Sequence, residues 1–424
     1  MSSFFKISFF SGCLTLFKML MGFLIAKVIA IYTGPSGMAL LGQLQSLVTG
    51  INGIVNAPVG NGIVKYTAEF KLEGAECCSR WWKPAIGFSF LFCLVLSIVF
   101  IPFANKISFI LFGSYEYDYV VIIAVCNLPF AAFGTMIMSI VNGMGKYRLY
   151  ILYGFISNLI TSIIMLLMLI KYGIVGALLA TSIQYGLIGI ILICLNYNQE
   201  WFKHNYFYPY DSIFNSEAKD ILAYILMAIT SAISLPLTLI VIRKILLNMT
   251  DITTVGQWQA VWKISEVYIG VVTIALSTYF LPKLSGLNDT AKIKNEIGIV
   301  LKYTIPFVCV AAVLIFAFRD LIITLLFTNE FYPARDLFFI QLVGDIIKII
   351  SWIYAFTMLA SKATRWYVGS ELFFCISWCL ISFVLVNIYK AQGINIAYCI
   401  SYVMYFLIIY LNLNKIIKKK NESH

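Results

Sequence analysis

Nine ionisable side chains interrupt stretches that are otherwise apolar, and they define the chemistry to look for. Six are basic, Lys18, Lys27, Arg243, Lys244, Lys263 and Lys348, and three are acidic, Glu266, Asp345 and Glu371. A charge at membrane depth costs free energy, so such groups are functional suspects by default. Basic groups outnumber acidic ones two to one, a balance that suits an anionic ligand such as a phosphate or diphosphate.

Spacing sharpens this. Gln259, Lys263, Glu266, Gly270, Thr273 and Ser277 recur with the helical period and form one polar stripe. A shift of 214 positions gives Gln45, Thr49, Asn52 and Asn56 on the same stripe. Two facing stripes would line a central water-filled cavity, with Gln45, Asn52 and Gln259 among its binding groups; the alternative is hydrogen bonding that only glues helices together. Gln341, Asp345 and Lys348 share a second face. Lys263–Glu266 and Asp345–Lys348 are i,i+3 pairs, so each could also neutralise itself. Lys27, Arg243 and Lys244 lie near span ends, where snorkelling to headgroups competes with a cavity role. Lys18 sits mid-span and about 180° around its helix from Lys27, so both cannot face one narrow cavity. Glu371 is either a cavity group or a partner for Arg365.

The elements that must carry these groups are membrane spans. Of 424 residues, 61% are hydrophobic and 12% charged, and the mean hydropathy is +0.91. An average soluble domain is about 25% charged. Apolar runs of about 20 residues, enough to cross a bilayer as helices, fall near 7–31, 38–58, 84–104, 118–141, 149–170, 174–195, 220–246, 254–281, 298–318, 335–360, 366–388 and 393–414. The fold class expected is an all-α integral membrane protein with about twelve transmembrane helices. The first run is too long for a signal peptide, and Gly34-Pro35-Ser36-Gly37 after it reads as a turn. Pro58, Pro129, Pro236 and Pro306 fall within or beside spans and mark candidate kinks.

Of the 30 Lys and Arg residues, 19 fall in the segments that lie inside if both termini are cytoplasmic, against five in exterior loops. That topology, with anionic lipid at the cytoplasmic face, accounts for the net charge of +11 without nucleic acid. The ten cysteines have no disulfide framework or metal-ligand spacing. There are two histidines and no Walker, H-E-x-x-H or nucleotide motif, so neither an enzyme nor a cofactor is expected.

The chain repeats itself. Gly42-Gln43-Leu44-Gln45 matches Gly256-Gln257-Trp258-Gln259 at an offset of 214, Arg148 matches Arg365 at 217, and Gly173 matches Gly393 at 220. Six spans per half keep the two halves in one orientation, related by a pseudo-two-fold axis along the membrane normal. The bundles expected are 1–205 and 206–424, joined by a cytoplasmic linker within 196–219. Transport by alternating access between such halves is the reading this duplication favours.

The residues also resemble a family. Leu24-Ile25-Ala26-Lys27-Val28-Ile29-Ala30 running into Thr33-Gly34-Pro35-Ser36-Gly37, Gly60-Asn61-Gly62-Ile63-Val64-Lys65-Tyr66, and above all Gln341-Leu342-Val343-Gly344-Asp345-Ile346-Ile347-Lys348 leading to Ala360-Ser361-Lys362-Ala363 are similar to Wzx-type lipid-linked oligosaccharide flippases of the multidrug/oligosaccharidyl-lipid/polysaccharide exporter superfamily. The resemblance implies two six-helix bundles with a cationic cavity between them. It also implies transfer of a polyprenyl-diphosphate-linked O-antigen repeat unit across a bacterial inner membrane. The basic groups would meet the diphosphate, and H+ or Na+ coupling would fall to Glu266, Asp345 or Glu371. Other polysaccharide-assembly proteins are expected partners. The competing readings are an ion-coupled multidrug/cation antiporter of the same fold and a non-transporting scaffold.

Overall fold

Inside lipid an apolar chain must satisfy its backbone polar groups internally, and the helix does this within one segment. The computed structural model describes residues 2–203, 216–287, 289–361 and 363–422; among these, all regular structure is helical. Lys362 and the expected 205/206 boundary lie outside the described residues. So do the side chains of Lys6, Lys203, Lys219 and Lys418 to Lys420.

By packing, the chain forms two compact units, residues 1–33 with 40–237 and residues 34–39 with 238–424. Unit 1 holds most of α1 (Ser2–Asn56), then α2 (Asn61–Phe70), α3 (Ala75–Phe100), α4 (Ala104–Phe112), α5 (Asp118–Cys126), α6 (Leu128–Gly143), α7 (Tyr147–Asn196) and α8 (Glu200–Lys203). Helix α9 (Ser216–Met249) contributes to both units. Unit 2 continues with α10 (Ile252–Ala275), a π turn (Leu276–Phe280), α11 (Leu281–Ser285), α12 (Thr290–Ala317), α13 (Arg319–Leu326), a 3₁₀ segment (Asn329–Leu337), α14 (Phe338–Ala360), α15 (Thr364–Tyr389) and α16 (Ala391–Glu422).

Eight runs of the described residues are long and apolar enough to cross a bilayer, and the bent pair α5–α6 makes a ninth. Two of the eight contain two spans each, because α1 breaks at Gly34 (φ 62°) and α7 at Gly173 (φ 58°). Only glycine adopts such backbone cheaply, so one residue does the work expected of the four-residue turn 34–37. Helix α10 completes twelve. Its polar stripe dilutes its hydropathy, but its 24 residues reach about 36 Å at 1.5 Å each. Of the candidate kinks, Pro129 opens α6 after the 40° bend, Pro236 and Pro306 lie inside α9 and α12, and Pro58 follows the end of α1.

From the ends of α6 and α14, at Gly143 and Ala360, onward to Gly176 and Gly393, the backbone records the duplication in one register. Lys146 (φ −80°, ψ 57°) leads into α7 as Ala363 (φ −81°, ψ 62°) leads into α15. Gly173 (φ 58°, ψ −137°) divides α7 as Lys390 (φ 51°, ψ −133°) separates α15 from α16. Both pairs are 217 apart, as are Arg148 and Arg365. The match of Gly173 to Gly393 is therefore corrected: Gly393 corresponds to Gly176. The physical reason is crowding. A Cβ on Gly176 would lie 1.9 Å from the Met168 carbonyl oxygen, and one on Gly393 would lie 2.5 Å from that of Leu385, again 217 apart.

Between helices in lipid, close packing replaces the hydrophobic driving force. In unit 1, α6 meets α7 at Gly134 and Gly189, where a Cβ on Gly134 would lie 2.7 Å from the Gly189 Cα. In unit 2, Phe280, Ile293, Ile349, Ile353 and Ile417 form one buried cluster. Leu20, Ile98, Leu325 and Leu411 stay exposed, an apolar surface that water would not tolerate and lipid does. The chain is a multi-pass integral membrane protein.

Candidate functional site

Unit 2 gathers most of the ionisable residues singled out above. Asp345, on α14, is fully buried. Its Oδ2 accepts hydrogen bonds from Ser265 Oγ (2.7 Å) and Tyr268 OH (2.8 Å) of α10. Its Oδ1 accepts from Gln341 Nε2 (3.1 Å), one turn back, and from Tyr398 OH of α16 (3.1 Å). Four donors from three helices thus converge on one carboxylate, the condition under which a buried charge is tolerated.

Lys348 follows one turn later and is 5% exposed. Its ammonium lies 4.7 Å from the ring centre of Trp352, 5.4 Å from that of Trp262, and 5.8 Å from those of Tyr398 and Tyr402. The faces of aromatic rings attract a cation electrostatically. Asp345 and Lys348 do not close into an ion pair within 4.0 Å, as their i,i+3 spacing allowed. The carboxylate is taken up by neutral donors and the ammonium by rings.

The cage merges with a wider aromatic core. Trp262 stacks on Trp258 at 5.6 Å and contacts Trp378 at 5.5 Å, and Trp378 contacts Tyr398 at 5.0 Å. Trp262 also ties the site to its accessible side, donating Nε1–H to Glu266 Oε1 at 2.9 Å. Glu266 pairs with Lys263 at 3.5 Å; the side chains are 41% and 31% exposed, so this pair does close and remains accessible.

Arg243, on α9, is 2% exposed, donates Nε–H to Gln259 Oε1 at 2.8 Å and lies 5.9 Å from the Trp258 ring. It is sequestered in the bundle rather than snorkelled. Lys244 is half-buried. Glu371, half-buried on α15, accepts from Tyr405 OH at 3.2 Å; that contact, not the Arg365 alternative, is the one formed. The polar stripe runs from buried Gln259 on α10, past exposed Glu266, to exposed Ser277 in the π turn.

In unit 1 the corresponding stripe is uneven. Gln45 is half-buried, Thr49 exposed and Asn52 4% exposed. Asn52 Nδ2 donates to the Val48 carbonyl at 2.8 Å, while its Oδ1 is buried without a hydrogen-bond partner. Lys18 lines a cavity of about 390 Å³ bounded by α1, α2, α6 and α7. Lys27 is half-buried and not part of that lining, as its opposite bearing on the helix required.

What sequence reasoning missed is the aromatic cage. Most aromatics read as packing or interfacial belts, yet Tyr398, Tyr402 and Tyr405 are spaced four and then three residues apart, one face of a helix. That spacing was the available signal. Ser265 and Tyr268, the hydroxyls that hold Asp345, do not stand out by charge or spacing; they lie in Ile264-Ser265-Glu266-Val267-Tyr268, a run similar to the flippase family. Among the described residues no group of three or more His, Cys, Asp or Glu converges as a metal cage.

No family model matches the chain. It is 28% identical over 401 residues to the lipid III flippase of Escherichia coli strain K12, a similarity covering 95% of this chain and 96% of that protein. Among solved structures, it superposes on an inward-facing multidrug resistance MATE family transporter of the MOP superfamily with a TM-score of 0.79 at 14% identity, over 96% of each chain. It also superposes on the lipid II flippase MurJ in an inward closed conformation, with a TM-score of 0.75 at 17% identity, over 97% of this chain and 89% of that one. The fold is the one these two structures share. It is the two-lobe, twelve-helix arrangement of the MATE and MurJ proteins, with the duplicated halves that the 217-residue register records.

Proposed function

We propose that this protein is a flippase. It carries a polyprenyl-diphosphate-linked oligosaccharide, an O-antigen repeat unit, from the cytoplasmic to the periplasmic leaflet of a bacterial inner membrane, by alternating access through a cationic central cavity. The observation that carries this reading is similarity along 95% of the chain to a lipid III flippase. The charge balance supports it: basic groups exceed acidic ones in the spans, and Lys263 keeps an accessible ammonium beside a carboxylate that a diphosphate can displace. The sugars meet Gln45, Asn52 and Gln259, the prenyl tail stays in lipid, and Lys27, Arg243 and Lys244 add positive potential. Glu266, Asp345 and Glu371 are the coupling sites for H+ or Na+. Both termini are cytoplasmic, and the boundary between halves falls at 205/206. The second reading, an ion-coupled multidrug/cation antiporter, is favoured by the fit to the MATE fold and disfavoured by the excess of lysine and arginine.

The test is deletion of the gene in a host with no second flippase. Loss of surface polymer, with its repeat unit accumulating on the lipid carrier, is expected. Lys263→Met and Lys348→Met are each expected to restore less than a tenth of the polymer that the wild-type gene restores. Unchanged polymer after deletion sinks the flippase reading in favour of the antiporter.

A further inference from the structure

The 217-residue register allows the two repeats to be compared position by position, and one region differs in kind. Where unit 2 carries Lys348, Trp352, Glu371 and Phe374, unit 1 carries Ala131, Thr135, Gly154 and Ser157. Bulk and charge in one repeat become small or hydroxyl side chains in the other. All four of these unit 1 residues line the 390 Å³ cavity, whose size falls in the roughly 300–1,000 Å³ range of ligand pockets. An empty apolar hole of that size in a packed bundle would be a pure loss of contacts. This one sets polar groups among a largely apolar lining.

Beside apolar Val64, Met138, Ile188 and Leu192, its remaining lining holds several hydrogen-bonding side chains. Asn61, Asn142 and Asn158 bring amides, Tyr150 a phenol, and Lys18 a cation; no acidic residue lines it. Asn158 Oδ1 and Ser157 Oγ are shut off from bulk solvent yet meet no hydrogen-bond partner in the protein, although Ser157 is 3% exposed. Buried polar atoms in folded proteins are normally paired, so two residues of the cavity wall hold hydrogen-bonding capacity that the protein does not use. The other phenols are already used: Tyr153 OH donates to Asn196 Oδ1 at 3.2 Å, and Tyr185 hydrogen-bonds Thr49. Lys18, itself an exposed residue, makes no ion pair among the described residues.

We propose that this cavity, wholly within unit 1, is an anion-anchored saccharide subsite. Lys18 takes one anionic oxygen group, and Asn61, Asn142, Ser157, Asn158 and Tyr150 take the hydroxyl and amide groups of the sugar attached to it. Amides and hydroxyls both donate and accept, which suits a polyhydroxylated ring, and a lone lysine without a carboxylate selects an anion. The anionic group is either a sugar carboxylate or the diphosphate of a lipid carrier. The choice of a saccharide rests on the flippase reading.

The experiment is a titration of the full chain in lipid nanodiscs with glucuronate, glucose or inorganic pyrophosphate, each read as a saturable rise in the thermal unfolding midpoint. We expect glucuronate or pyrophosphate to bind at least tenfold more tightly than glucose. Stronger glucuronate binding assigns the sugar carboxylate, and stronger pyrophosphate binding assigns the carrier. Lys18→Met is expected to weaken the bound anion at least tenfold, and Ser157→Phe, which copies the second repeat, to abolish binding. If Ser157→Phe is not monodisperse, Asn158→Leu replaces it, and Lys18→Met decides independently. No saturable shift with any probe, or shifts indifferent to both substitutions, overturns the subsite. If deletion of the gene still blocks surface polymer, the flippase reading survives that loss; if deletion has no effect on polymer while anion binding persists, the flippase reading fails and the site stands.

Discussion

At the scale of single residues, unit 2 solves the problem of buried charge without closing Asp345 and Lys348 onto each other. Asp345 is held by four donors and Lys348 by aromatic faces. Hydrogen bonds between membrane helices average about 0.6 kcal/mol, with a maximum near 1.7. Asp345→Ala strands all four donors and is therefore expected to destabilise unit 2 by about 2–4 kcal/mol. Asp345→Asn keeps one acceptor oxygen, and the hydroxyls of Ser265 and Tyr268 can rotate to accept from its amide, so it is expected to cost less than half as much. Thermal unfolding of the three purified proteins checks this. Equal losses from both substitutions would mean that the charge, not the hydrogen bonding, is what the fold requires.

At the scale of elements, the helices are set by a few backbone positions. Lys390 takes the backbone conformation of its repeat partner Gly173, with φ 51°, but without glycine's freedom. A side chain held there stores of order 1–3 kcal/mol of strain. Lys390→Gly is expected to raise the unfolding free energy and Gly173→Lys to lower it, each by about 1–3 kcal/mol; an unfolding midpoint unmoved by either denies the strain. At the start of α10, Asp251 Oδ1 accepts from the Thr254 backbone N–H at 2.9 Å, and Oδ2 from its hydroxyl at 2.8 Å. The backbone bond first, and the hydroxyl second, hold the Asp251 carboxyl below the usual carboxylate range. For a depressed folded value the sign is fixed: the stability is fully present above the unfolded pKa of about 3.9 and disappears as pH falls through the lower folded one. Asp251→Ala is expected to cost about 1 kcal/mol near neutral pH, and the gap to wild type should close only below the usual carboxylate range. Unfolding curves across that range test it.

At the scale of the whole molecule, the proposed orientation makes a direct claim about the two leaflets. Basic residues concentrate in the loops assigned to the cytoplasm, 19 against five outside, and that bias sets topology during insertion. A fluorescent protein fused after His424 is expected to fluoresce in cells, while alkaline phosphatase fused at the same point should be inactive. The reverse pattern would invert the proposed direction of transport. The two units also differ at corresponding positions: the second repeat carries a lysine, a tryptophan, a glutamate and a phenylalanine, and the first an alanine, a threonine, a glycine and a serine.

Hydropathy and length alone determined that this chain crosses a membrane about twelve times, because no other structure satisfies a backbone in lipid. The duplication was legible too, though its register was not. Residue matches drifted from 214 to 220, whereas backbone dihedrals and glycine crowding place the second half at a constant 217 from Lys146 through Gly176. The ionisable residues stood out against an apolar background. Their partners did not, since serine, tyrosine and tryptophan are ordinary residues of membrane helices. That Tyr268 and Tyr398 hold Asp345, that rings rather than a carboxylate receive Lys348, and that Asn158 and Ser157 line a cavity while each keeps a polar atom unpaired were decided only by tertiary structure. A side chain's period places it on a face of its helix, but which helix lies opposite is settled by packing between segments distant in the chain.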